Sequence, residues 1–125
     1  LAFLLASTDE ELVSDFKSHV ADEWATESLT FLEDTFAWIA SFNDVSPSTR
    51  AARARKIVRM YVQNGAVNEI NVDARMRTAI IDIVMGAEAV PRTVFDEARQ
   101  EVARILSNGA AARFMNRRRR SAVPA

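Results

Sequence analysis

The side chains that could do chemistry in this chain are few and poorly matched to catalysis. The one histidine, His19, has no second histidine for a metal site, and there is no cysteine. A His19 that faces solvent or packs against its helix explains it without a ligand role. Carboxylate pairs such as Glu33–Asp34 occur, but charge on a helix surface accounts for them as well as general acid–base work would. No phosphate-cradling glycine loop, dinucleotide fingerprint, HExxH or CxxC is present. An active site needs a nucleophile, an acid–base pair, a metal or a cofactor, so the residues exclude most enzyme chemistry and predict no cofactor. What remains is recognition. Arg53, Arg55, Lys56 and Arg59 form a basic stretch and Arg117 to Arg120 a basic run. An acidic first third, from Asp9 to Asp34, opposes them.

These groups ride on a chain of 125 residues, the size of one domain and long enough to bury a core without disulfides. Apolar residues are 49% and charged residues 26%. The net charge of −1 gives the whole chain no attraction for nucleic acid. Three glycines and three prolines leave room for few turns, which favours helices over a many-stranded sheet. No apolar run reaches the roughly 18 residues of a membrane span. LAFLLA at the start is too short for a signal peptide and lacks a basic lead. The chain begins without Met, which predicts a domain cut from a longer protein. Residues 117–125 read as a basic, weakly ordered tail, and the absence of cysteine fits the cytosol.

Hydrophobic periodicity places the helices. Ser7 to Glu10 reads as a capping box. The helix it opens runs to about Ala21, with Leu12, Phe16 and Val20 on one face. Thr26 starts a second helix to about Phe42, with the stripe Leu29, Leu32, Phe36, Ile39, widened by Phe31, Trp38 and Phe42. Ser46-Pro47 starts a third, with Ile57, Val58, Tyr61 and Val62 inward and its arginines outward. Asn64-Gly65 ends it. Residues 66–72 read as an extended loop. Asp73 caps a fourth helix with Met76, Ile80, Ile83 and Val84 inward, stopping near Gly86. Thr93 caps a fifth, bearing Phe95, Ala98, Val102, Ile105 and Leu106, and Gly109 ends or kinks it, with a left-handed backbone expected there. A last short helix over about 110–117 is anchored by Phe114. The expectation is an all-α fold, a single bundle of about six or more short helices over residues 1–125. Phe16, Leu29, Phe31, Leu32, Phe36, Ile57, Tyr61, Ile80, Phe95, Ala98 and Phe114 are its expected core.

Four polar fragments stand in a telling order. They are Glu23-Trp24-Ala25-Thr26-Glu27-Ser28-Leu29, Asn71-Val72-Asp73, Phe95-Asp96-Glu97-Ala98-Arg99 and Arg113-Phe114. Together they resemble the regulator of G-protein signalling (RGS) domain, from about Leu12 to Phe114. The resemblance implies an all-helical module with no active site of its own. Its partner would be a heterotrimeric G-protein α subunit in its GTP-bound or transition-state form. It would grip the switch regions and hasten GTP hydrolysis without donating an arginine. Apart from the resemblance, the absence of cysteine fits a cytoplasmic place, and Arg53, Arg55, Lys56 and Arg59 with the 117–120 run would let the domain lie against an anionic leaflet at the inner face of the plasma membrane.

The resemblance also implies site residues. Glu23 accepts hydrogen bonds at the contact, Trp24 gives apolar area, Glu27 steadies the loop, and Ser28 stands where Asn is common. Asn71 packs beside the water-orienting glutamine of the partner, Ile105 meets switch I, and Arg113 braces the contact loop. Read from the residues alone, Asn71 and Asp73 also suit an Asx turn with a helix cap, Trp24 also suits the core, Ile105 also packs inward, and Arg113 also suits a helix C-terminus. Gly109 falls where active members carry Asp, and Asn108 stands beside it. Those departures imply a second reading, an RGS-like scaffold that binds without activating.

Overall fold

A computed structural model describes residues 10–22, 26–86, 88–111 and 113–116. The expected Ser7 capping box therefore lies outside the described residues. Among them the chain is all helical with no strand, as its periodicity predicts, and it forms five α-helices rather than about six. These are α1 (Glu10–Asp22), α2 (Thr26–Ala40), α3 (Pro47–Ile57), α4 (Ala74–Val84) and α5 (Asp96–Leu106). Two π-helical turns extend α3 and α5, over Val58–Val62 and Ser107–Ala111. Of the expected last helix, the described residues 113–116 are helical.

The ends form for local reasons. Glu10 and Glu11 place negative charge in the first turn of α1, where the helix dipole favours it. Ser46 has an extended backbone and accepts from Thr49 N at 3.2 Å, with Pro47 following. Asp73 accepts from Met76 N at 2.7 Å and caps α4. Gly65 alone among the described glycines has a left-handed backbone, at φ 78°, in the turn that leaves α3. The Thr93 cap is not formed. Asp96 N bonds the Thr93 backbone oxygen at 3.0 Å, and α5 starts from Phe95 with no side-chain cap. The acidic pair Asp96–Glu97 in its first turn meets the dipole instead.

An aromatic cluster forms the centre. Phe95 is fully buried, and its ring lies 6.3 Å from Phe31 and 5.2 Å from Trp38. Tyr61 stands edge-on to Phe31 at 5.6 Å. Phe16 of α1 meets Phe114 at 5.5 Å, which ties the first described helix to the last described turn. Tilted and edge-on rings at these separations add attraction beyond their area. Arg50 does not point outward with the other arginines of α3. Its guanidinium donates to Phe42 O at 2.7 Å and Val45 O at 3.1 Å and covers the Phe42 ring at 4.3 Å. It seals the α2–α3 corner, where Trp38 Nε1 donates to Arg50 O at 3.0 Å.

Ten of the eleven expected core side chains are buried, and Phe36 is not: it is 65% exposed. The fully buried Thr35 is on the face of α2 that meets the core, and the next residue is turned from it by about 100°. Leu29 and Leu32 are buried on nearly the same line of the helix as Phe36, so that line is covered at the start of α2 and open at Phe36. Ile83 departs likewise, at 41% exposure, because α4 buries only the line Met76, Ile80, Val84. Phe36→Ser should shift the melting temperature by less than about 2 °C, since substitutions away from packed features usually stay within about 0.5 kcal/mol. Thermal unfolding of the variant checks this, and a fall of 5 °C or more would show that Phe36 is covered in solution.

Candidate functional site

The loop between α3 and α4 carries Asn71, and its backbone is tied on every side. Asn68 N donates to Met60 O at 3.0 Å, and Ile70 N to Tyr61 O at 2.9 Å. Ile70 and Val72 are buried, while Asn71 between them is exposed. The Arg77 guanidinium reaches back from α4 to Val62 O, to Ile70 O at 3.4 Å and to Val72 O at 3.2 Å. Hydrogen bonds from a charged donor are the stronger class, so Arg77 is the principal staple of this loop. Among the described residues the Asn71 side chain makes no hydrogen bond. Asp73 does the capping alone. The Asn71 amide is thus presented outward on an immobilised backbone, with both donor and acceptor available.

Glu27 and Ser28 lie half-buried in the first turn of α2. Thr30 steadies that turn by donating to Thr26 O and Glu27 O, at 3.2 and 3.1 Å. Glu23 and Trp24 lie outside the described residues. Ile105 is half-buried in the last turn of α5, Asn108 is exposed in the π turn that follows, and Arg113 is exposed just beyond it.

Contacts link these positions in two groups. Tyr61 holds Ile70 through its backbone and packs its ring on Phe31, one helical turn after Glu27. The Asn71 loop is thereby attached to the start of α2. Ile105 and Gly109 belong to the end of α5 and its π turn, which pack against α2 and α1 respectively, and Arg113 follows just beyond them. No hydrogen bond or ion pair joins Glu27 to Asn71 among the described residues, so only their scaffold relates them.

Gly109 differs from the expectation. It lies within the π turn, and its backbone is not left-handed, so no conformational constraint reserves the position for glycine. A Cβ there would stand 3.5 Å from one terminal nitrogen of Arg113, an ordinary contact. Gly109→Asp should therefore fold without strain and place a carboxylate against that guanidinium. The pair is exposed, so its own contribution is below about 1 kcal/mol. The expected result is an unchanged or slightly raised melting temperature and a roughly two- to fivefold gain in partner affinity, as one added charge-assisted contact allows. Calorimetric binding with paired thermal unfolding reads both, and a lowered melting temperature contradicts the local geometry.

Two structural arginines were not legible as such. Arg77 precedes Ile80 and follows Asp73 by one turn, so a cation there is placed to collect the carbonyls of the preceding loop. Arg99 continues the Phe95, Val102, Leu106 face of α5, and a charge on a buried stripe signals a side chain with internal partners. Its guanidinium donates to Leu32 O at 2.8 Å and to the Thr35 hydroxyl. Burial lowers its pKa, with Asp96 opposing.

Among the described residues no group of three His, Cys, Asp or Glu side chains is placed to hold a metal. No described helix is long and apolar enough to cross a membrane. The family profile described as the Regulator of G protein signaling domain matches residues 4–118. No curated protein matches the chain.

Proposed function

The chain belongs to the regulator of G protein signalling domain family, and from that premise we propose that it binds the switch regions of a Gα subunit and accelerates GTP hydrolysis. The observation that supports this reading is Asn71, whose side chain is exposed and, among the described residues, makes no hydrogen bond, on a loop fastened from both sides. A Gα subunit already carries its arginine in cis and a glutamine that orients water. A partner that fits the transition-state geometry better than the GTP ground state lowers the barrier by that difference. A rigid amide beside the glutamine suits that task, because a mobile one would lose entropy at the moment of reaction.

In this proposal Glu23, Trp24, Glu27 and Ser28 form one side of the contact, Asn71 its centre, and Ile105 with Arg113 the other side. Asn108 and Gly109 lie at its edge. Residues 1–125 act as one unit, and the expected basic tail over 117–125 lies outside the described residues. The place of action is the cytoplasmic face of the plasma membrane. There Arg53, Arg55, Lys56 and Arg59 would meet anionic headgroups, each cation near the surface contributing about 1 kcal/mol.

Gly109 and Ser28 give a second reading its support. Both lack the longer polar side chain of active members, so the domain would bind Gα as a scaffold without accelerating hydrolysis. Binding to Gα–GDP with aluminium fluoride, compared with Gα–GDP alone, separates the two. A clear preference for the fluoride complex supports activation, equal binding supports the scaffold, and binding to anionic vesicles with none to Gα overturns both.

A further inference from the structure

We propose that Tyr61 and Asp34 form a latch that sets the position of the Asn71 loop, which makes them positioning residues for the Gα contact; that last step rests on the function proposed above. A helix leaves its final carbonyls without partners inside the helix. At the end of the π turn Val58–Val62, three successive carbonyls find theirs in the next segment. Met60 O accepts from Asn68 N, Tyr61 O from Ile70 N, and Val62 O from the Arg77 guanidinium. The loop hangs from this turn, so wherever the turn goes, Asn71 goes.

Within that turn Tyr61 is the polar grip on α2. Its side chain is 1% exposed, its ring packs on Phe31, and its hydroxyl donates to Asp34 Oδ2. The ring fixes the depth of the turn. The hydroxyl adds a second constraint, on its rotation, because a hydrogen bond weakens steeply away from its axis. Burial, and next the Asp34 carboxylate, raise the phenol pKa, so the group keeps its proton and remains a donor. Asp34 is exposed, so the bond can be removed from either side without burying an unpaired charge. The π turn adds a reason for a latch. Its wider bonding, with Gln63 N donating to Val58 O at 3.0 Å, is a less regular geometry than an α-turn and is often found at functional positions.

The test uses Tyr61→Phe, which removes one oxygen and keeps the ring, and Asp34→Ala, which removes the acceptor at the surface. Amide hydrogen exchange in the free domain is the first reading. Exchange at Asn68 and Ile70 should rise about three- to tenfold in both variants, as loss of a charge-assisted bond allows, while the Val102 amide in α5 keeps its protection. Asp34→Asn, which retains an acceptor, should restore most of it. The second reading is affinity for Gα–GDP–aluminium fluoride. Tyr61→Phe should weaken it about threefold or more in the parent and hardly at all in an Asn71→Ala background, the signature of two residues acting through one contact. Unchanged exchange at both amides overturns the latch. Raised exchange with additive losses of affinity overturns its link to Asn71. If the parent binds no Gα, the proposed function fails, and the exchange result still upholds or overturns the latch by itself.

Discussion

Asn71→Ala is expected to slow domain-stimulated, single-turnover GTP hydrolysis by about ten- to a hundredfold, because truncating a central contact commonly costs 1–3 kcal/mol and each 1.4 kcal/mol is a factor of ten. The melting temperature should move by less than about 2 °C, as for other exposed side chains without partners. The separation follows from the loop's construction. Its stability comes from Ile70 and Val72 in the core, from Asp73 capping α4, and from Arg77 across three carbonyls. None of these involves the Asn71 amide. If folding suffers as much as activity does, Asn71 has a structural role in solution and the assigned surface is wrong. If neither changes, the partner is gripped elsewhere.

The largest loss of stability is expected at Phe95. It is wholly buried between Phe31 and Trp38, at the junction of α2 and α5. Phe95→Ala removes the ring and leaves a cavity that helices braced by other aromatics cannot close. Such changes cost about 3–5 kcal/mol. For a chain of this size each kcal/mol lowers the melting temperature by about 3–5 °C, so a fall of roughly 10–20 °C is expected. Phe95→Leu should recover much of it by refilling volume. Denaturant unfolding with an unchanged slope would locate the loss in the folded state. A fall below about 5 °C would mean that α5 shifts to fill the gap. The contrast with Phe36, for which almost no effect is expected, measures how differently two phenylalanines of one chain are used.

The difference between Phe95 and Phe36 is one of tertiary packing. Both residues lie on apolar helical stripes, and spacing alone ranks them alike. Which is covered depends on the neighbours of α2, and those are α1, α3 and α5, set by packing at long range. Local signals were more secure. Asp73 caps the helix it is expected to cap and α3 starts at Ser46-Pro47 as expected, because such starts need only residues three apart. Thr93 failed as a cap because the turn before α5 satisfies its own amides through backbone oxygens.

The candidate site divides in the same way. The order of Glu27, Asn71, Phe95-Asp96-Glu97-Ala98-Arg99 and Arg113-Phe114 was visible in the chain and carried the family, since family membership is written in residue types and their separation. What presents Asn71 was not visible. Arg77 and Tyr61 hold its loop, Asp34 holds Tyr61, and these partners come from α4, the π turn and α2. Nor was it visible that Gly109 has an ordinary backbone with Arg113 lying over it. The helices, most of the core and the kind of module follow from the order of residues, because periodicity and capping act within a few positions. Which apolar faces are covered, which arginines turn inward and which way Asn71 faces follow from packing, because those depend on hydrogen bonds and contacts between segments that the chain order does not pair.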